Sequence, residues 1–139
     1  MVDDQTPNLA LPYIMAAQAQ KHVTHNEAIR ALDALVHLMV IDKDLASPPG
    51  TAENGDRYIV ASTPEGAWSG HALAIAAYQD GAWMFLGPRP GWMAWVADEG
   101  ELHVFDGASW RVGGGATVNP APLVGVKGIR GLPDLVLAL

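Results

Sequence analysis

Two groups of side chains in this sequence have the residue types that chemistry uses. His22, His25 and Glu27 offer imidazole and carboxylate, ligands that suit zinc. Their spacing works against a shared site: on a helix His22 and His25 meet at i, i+3, whereas Glu27 lies two residues past His25 and points elsewhere. Asp98, Glu99 and Glu101 could supply paired carboxylates for glycoside hydrolysis, but they fall at an expected hairpin tip, where acids are ordinarily solvated. His71 and His103 stand isolated in the sequence. No Ser or Thr sits in a nucleophile elbow. Gly113-Gly114-Gly115 is followed by neither a Lys-Ser/Thr pair nor a helix, which a phosphate loop requires. The residue pattern therefore assigns no catalytic residue, no metal site and no cofactor.

The tryptophans offer recognition instead of catalysis. Trp92 and Trp95 are three residues apart, so a strand places them on opposite faces. One fills a core and the other meets solvent, a ligand or a subunit. Packing and interface roles are favoured for all five Trp. Aromatics beside acids also bind carbohydrate, which makes Trp92 and Trp95 the candidate glycan contacts.

Composition sets the limits within which these residues act. A chain of 139 residues fits one domain, and a domain of this size buries roughly two thirds of the surface its unfolded chain exposes. Half the residues are hydrophobic and 17% are charged, the wrong balance for disorder. So few charges, with five Trp and 15 Gly, suggest that other subunits cover part of the surface. The net charge of -7 and the eight dispersed Lys and Arg argue against direct nucleic-acid binding and against a basic membrane anchor. No run reaches the length of a transmembrane helix. Met1-Val2-Asp3-Asp4 opens with acid and not with the basic start of a signal peptide, so synthesis in a cytoplasm without secretory export is expected. With no cysteine, disulfides and thiolate chemistry are excluded.

The expected organisation has three parts: an N-terminal arm over 1–13, a helix-plus-β domain over 14–112, and a Gly hinge with an apolar docking arm over 113–139. Pro7 and Pro12 make the first arm irregular, while Leu9, Leu11, Tyr13 and Ile14 make it apolar. A short helical turn is expected from Ile14 to Lys21. The main helix is expected over about 26–37, opened by a Thr24/Glu27 capping box worth about 1 kcal/mol. Its apolar stripe is Ile29, Leu32, Leu35 and Val36, with Arg30, Asp33 and Ala34 on the other side. Asp33 and His37 are i, i+4, so a protonated His37 would gain from that carboxylate and from the helix dipole. Gln18, Gln20, Lys21, His22, His25 and Asn26 hold more hydrogen-bonding groups than one capping box uses. They are expected to satisfy loop backbone or a neighbouring subunit, and are candidate interface residues.

Downstream, β-type runs follow one another: Leu38 to Asp42, Arg57 to Ala61, Leu73 to Gln79, Ala82 to Leu86, Trp92 to Ala97, Leu102 to Phe105 and Ser109 to Val112. Asp80-Gly81, Asp98-Glu99-Gly100 and Asp106-Gly107 join the last of these as hairpins. Glu65-Gly66-Ala67-Trp68, Asp80-Gly81-Ala82-Trp83 and Asp106-Gly107-Ala108-Ser109-Trp110 repeat an acid-Gly turn before a Trp, at a spacing too uneven for a propeller or solenoid. The expected fold is mainly β (α+β), one helix and an antiparallel meander forming a small barrel or sandwich. Beyond the hinge, Pro120, Pro122 and Pro133 break an apolar segment that includes Leu135, Val136 and Leu137. Such a segment is expected to dock on another subunit or protein.

Leu11-Pro12-Tyr13-Ile14, the run from Gln18 to Ala28, and Leu32-Asp33 resemble the opening signature of an uncharacterised phage domain of alphaproteobacteria. Gly55 to Val60, Gly66 to His71, Ile75-Ala76 with Trp83, and Gly91 to Val96 resemble the same family in order, so the likeness spans about residues 9 to 112. That domain occurs in tail-fibre-like and prophage proteins and in gene transfer agents. The resemblance implies a virion structural protein, not an enzyme, and carries over no catalytic residue. It implies a base or adaptor of a head spike or tail appendage that helps host attachment and is assembled in the bacterial cytoplasm. Trimeric or pentameric self-association is expected, with another capsid, spike or fibre protein docked by the terminal arms. An alternative is a carbohydrate-binding module that contacts host surface polysaccharide through an exposed Trp. A third reading is a polysaccharide-degrading enzyme using Asp98 or Glu101.

Overall fold

Short β-type runs bounded by Gly turns pair into two sheets. In the computed structural model, which describes residues 4–14 and 21–113 and all side chains among them except those of Lys21 and His22, helix α1 (Lys21–Leu35) precedes seven strands. These are β1 (Met39–Val40), β2 (Arg57–Ile59), β3 (Ile75–Gln79), β4 (Ala82–Leu86), β5 (Met93–Val96), β6 (Glu101–Phe105) and β7 (Trp110–Val112). One sheet has the order β1-β5-β6-β7 and the other β2-β3-β4. All pairings are antiparallel except β1 with β5, which sets Met39 beside Trp95 and Val40 beside Val96. The result is a sandwich and not a closed barrel.

The hairpins form where turn chemistry asks for them. Gln79 pairs with Ala82 across Asp80 (φ 53°) and Gly81 (φ 82°), the two successive positive φ angles of a tight hairpin turn. Val96 with Glu101 and Phe105 with Trp110 close the other two. Trp83 and Trp110 lie in return strands, whereas Trp68 lies in a 3₁₀ turn, Gly66–Trp68.

The core is divided by the β2-β3-β4 sheet. Between the sheets lie Leu38, Val40, Ile59, Ile75, Ala94 and Val96, with Trp92 and Trp110 packed against them. The Trp110 indole N–H donates to the Leu73 carbonyl at 2.9 Å, tying β7 to the segment entering β3. On the far side of β2-β3-β4, Trp68 is fully buried with Tyr58, Val60 and Ala76. Trp68 and Trp83 meet edge to face at 5.2 Å, a favoured aromatic geometry. The second sheet is thus covered on both faces.

Helix α1 corrects the expectation in two ways. It runs from Lys21 to Leu35 and not over 26–37, so Thr24 stands inside the helix and is no N-cap. Its buried residues are Asn26, Asp33 and Ala34; of the expected stripe Leu35 packs against the inter-sheet core, while Leu32 is 50% exposed and Val36 is also exposed. The reason lies in the partners. Asp33 accepts the backbone N–H of Asn8 at 3.0 Å and of Leu9 at 2.6 Å, and the Asn8 side-chain amide at 2.9 Å. The Arg57 guanidinium donates to the Ala34 carbonyl at 3.1 Å. Asp33 is therefore committed to the N-terminal arm and not to His37, which ends the helix at φ 54°.

That arm, described over 4–14, contains no helix or strand and folds back on itself in a turn. Gln5 bridges Pro12, Thr6 N–H donates to the Leu11 carbonyl at 2.9 Å, and Thr6 Oγ1 accepts from Leu11 N–H at 2.8 Å. Asn26 grips its end, donating to the Ile14 carbonyl at 3.0 Å and accepting the Ile14 N–H at 2.9 Å. The expected turn between Ile14 and Lys21, with Gln18 and Gln20, lies outside the described residues, as does the C-terminal arm with Leu135, Val136 and Leu137. No described helix is long and apolar enough to cross a membrane.

Candidate functional site

Among the described residues, the outer face of the β1-β5-β6-β7 sheet carries large apolar side chains that stay exposed. Strand alternation sends Ala94 and Val96 into the core and Met93 and Trp95 outward, where they are 58% and 46% exposed. The parallel pairing of β1 adds Met39 beside Trp95, and the β5-β6 register adds Leu102 opposite it. A solvated sheet face ordinarily carries polar residues at these positions. Leu35, His37 and Leu38, at the end of α1 and the turn after it, line a groove of about 780 Å³ together with Met39, Met93, Leu102 and both Trp92 and Trp95. Leu32 on α1 and Val36 just past its end, whose N–H donates to the Leu32 carbonyl, are exposed as well. His37 is the one titratable group among the residues lining the groove.

The candidate residues separate accordingly. Trp92 is partly buried against the inter-sheet core, and Trp95 is the exposed member of the pair. Glu27 and His25 are exposed on α1, and Asn26 is engaged with the chain's own Ile14 backbone. His71 stacks on Phe85 with ring centroids 3.7 Å apart. Met39, Met93 and Leu102 were not singled out by residue type. The signal for Met93 and Leu102 is that Met93 to Val96 is apolar on both strand faces, while Leu102 and Val104 put two apolar side chains on one face of β6.

The carboxylates of the β5-β6 turn also find partners. Glu99 lies between the Lys43 ammonium, 3.3 Å from Oε2, and the His103 imidazole, whose Nε2 is 3.6 Å from Oε1. Lys43 also meets Asp44 at 3.1 Å. Burial works to lower the Lys43 pKa, but hydrogen bonds and charge from Asp44 and Glu99 outweigh it and raise it. Loss of hydration, then repulsion from Asp42, Glu99 and Asp44, holds the Asp98 carboxyl above the usual carboxylate range. This corner of the molecule is strongly acidic.

The sequence profile of a family described as a protein of unknown function, DUF2793, matches residues 25–111. The chain belongs to this family. The DUF2793 match begins inside α1 and ends within β7, so it takes in both sheets, the Met93 and Trp95 face and the acidic turn. It leaves out the arm over 4–14 that Asp33 and Asn26 hold. No curated protein matches the chain.

Proposed function

We propose that this chain is a structural subunit of a phage-like particle, such as a gene transfer agent, and forms the base or adaptor of a head spike or tail appendage. In this reading three or five copies associate around a symmetry axis through the outer face of the β1-β5-β6-β7 sheet. The observation that carries the proposal is that apolar face, with Met39, Met93 and Trp95 at its centre. The particle context is supported by the resemblance of the helix and Trp-containing segments to the phage domain.

Magnitudes support a second copy as the occupant. Leu32, Val36, Met39, Met93 and Trp95 are each about half exposed, and burying the remainder of each gains about 1 kcal/mol. Each copy thus contributes about 5 kcal/mol and a pair about 10, comparable with the roughly 4–15 kcal/mol that association costs. Assembly through this face alone is therefore expected to depend on concentration. Charge points the same way: in a chain of net charge -7, a nearly uncharged groove is where two copies meet with the least repulsion.

The experiment is to produce particles with Trp95→Asp in this chain and count appendages by electron microscopy. The proposal expects particles with intact capsids and missing or sparse appendages. Wild-type appendage numbers would refute it. The exposure of Trp95 also favours a second reading, a carbohydrate module contacting host polysaccharide. Trp95→Ala would then abolish binding of the purified protein to host capsule, whereas unchanged binding counts against that reading.

A further inference from the structure

We infer that Glu99, Glu101 and His103 form a binding site for one divalent transition-metal ion of the zinc type. The three residues alternate along the chain, so β6 presents Glu101 and His103 on the same face, and the β5-β6 turn brings Glu99 back over them. One ligand atom from each lies within 4.8 Å of the other two. Zinc takes imidazole nitrogen and carboxylate oxygen at about 2.0–2.2 Å, so two ligands of a tetrahedral ion stand about 3.4 Å apart. His103 Nε2 and Glu99 Oε1 are already 3.6 Å apart. Only the exposed Glu101 has to swing inward by a side-chain rotation.

The observation that separates this group from an ordinary acidic turn is His103. It is 2% exposed, and its Nδ1 has no hydrogen-bond partner among the described residues. Its Nε2 faces Glu99 at a distance beyond a hydrogen bond. The nitrogen turned toward Glu99, Nε2, makes no hydrogen bond among the described residues and is open to a metal ion. Two carboxylates balance the charge of a divalent ion, and Asp42, Asp44 and Asp98 add a negative field. Lys43 does not block the site, because it approaches the other Glu99 oxygen and keeps Asp44 as a second partner. A bound ion would clip the β5-β6 turn to its own strand. Since Nδ1 lacks the outer partner that orients metal-binding histidines, affinity is expected to be about 10–100-fold below that of a fully supported site.

The test is calorimetric titration of zinc chloride into the untagged full-length chain, with thermal unfolding followed in parallel. One saturable site per chain and a raised midpoint are expected. Glu101→Gln, an exposed change, is expected to weaken binding at least tenfold while leaving the metal-free midpoint unchanged. His103→Gln is expected to abolish binding, and Glu101→Gln keeps the test decisive if that buried variant fails to fold. No saturable zinc binding, or wild-type affinity in Glu101→Gln, would overturn the inference.

Discussion

Asp33 does work that no helix propensity calls for: fully buried, it holds the N-terminal arm through the N–H groups of Asn8 and Leu9. Both of its oxygens accept backbone donors, so Asp33→Asn must turn an amide NH₂ toward an N–H. The buried Arg57, whose pKa burial lowers and Asp33 partly restores, loses that compensation too. Asp33→Asn is expected to destabilise the protein by about 3 kcal/mol in urea unfolding, and a loss below about 1 kcal/mol would contradict this assignment. Asp106 offers a pH test. A hydrogen bond from the Arg111 side chain, and then the N–H groups of Ser109 and Ala108, lower its carboxyl from 3.8 to about 2. Because the folded value is depressed, the stabilisation is present above the unfolded pKa and is lost as pH falls through about 2. Arg111 is largely exposed and solvent screens the pair, so the sensitive measurement is the carboxyl chemical shift. Its midpoint is expected near 2 in the native chain and closer to 3.8 in Arg111→Ala.

At the scale of elements, the arm packs against the loop that enters β2 at Gly55. Its φ is 98°, and a Cβ there would stand 3.0 Å from Pro7 Cβ. Gly55→Ala therefore meets both a backbone penalty and a clash. A loss of about 1–2 kcal/mol is expected, with faster proteolysis of the arm; an unaltered unfolding curve would show that the arm does not pack there. The end of α1 makes the converse case. His37 holds φ 54° where helices favour glycine, so His37→Gly is expected to stabilise by about 0.5–1 kcal/mol. The hairpins were legible because Asp80-Gly81 and its counterparts encode their own geometry within a few residues. The helix was not, because periodicity ranks Ile29, Leu32, Leu35 and Val36 by hydropathy alone. Its burial is decided by Asn8, Leu9 and Arg57, more than twenty residues away in sequence.

For the whole molecule, the sequence showed a mainly β fold and required one of Trp92 and Trp95 to face outward. What it concealed was the company Trp95 keeps. Only the parallel pairing of β1 with β5 places Met39 beside it, and only the β5-β6 register adds Leu102. Long-range pairing of this kind leaves no local signal. The same holds for Glu99 and His103, whose two-residue alternation through Glu101 gains meaning only once the turn returns Glu99 over the strand. The proposed self-association through this face is tested most directly by sedimentation velocity of the purified chain. The account predicts a discrete trimer or pentamer that dissociates on dilution, and a monomer at every concentration for Trp95→Asp with an unchanged unfolding midpoint. A wild-type chain that sediments as a monomer throughout, or a Trp95→Asp chain that assembles as the wild type does, would contradict it.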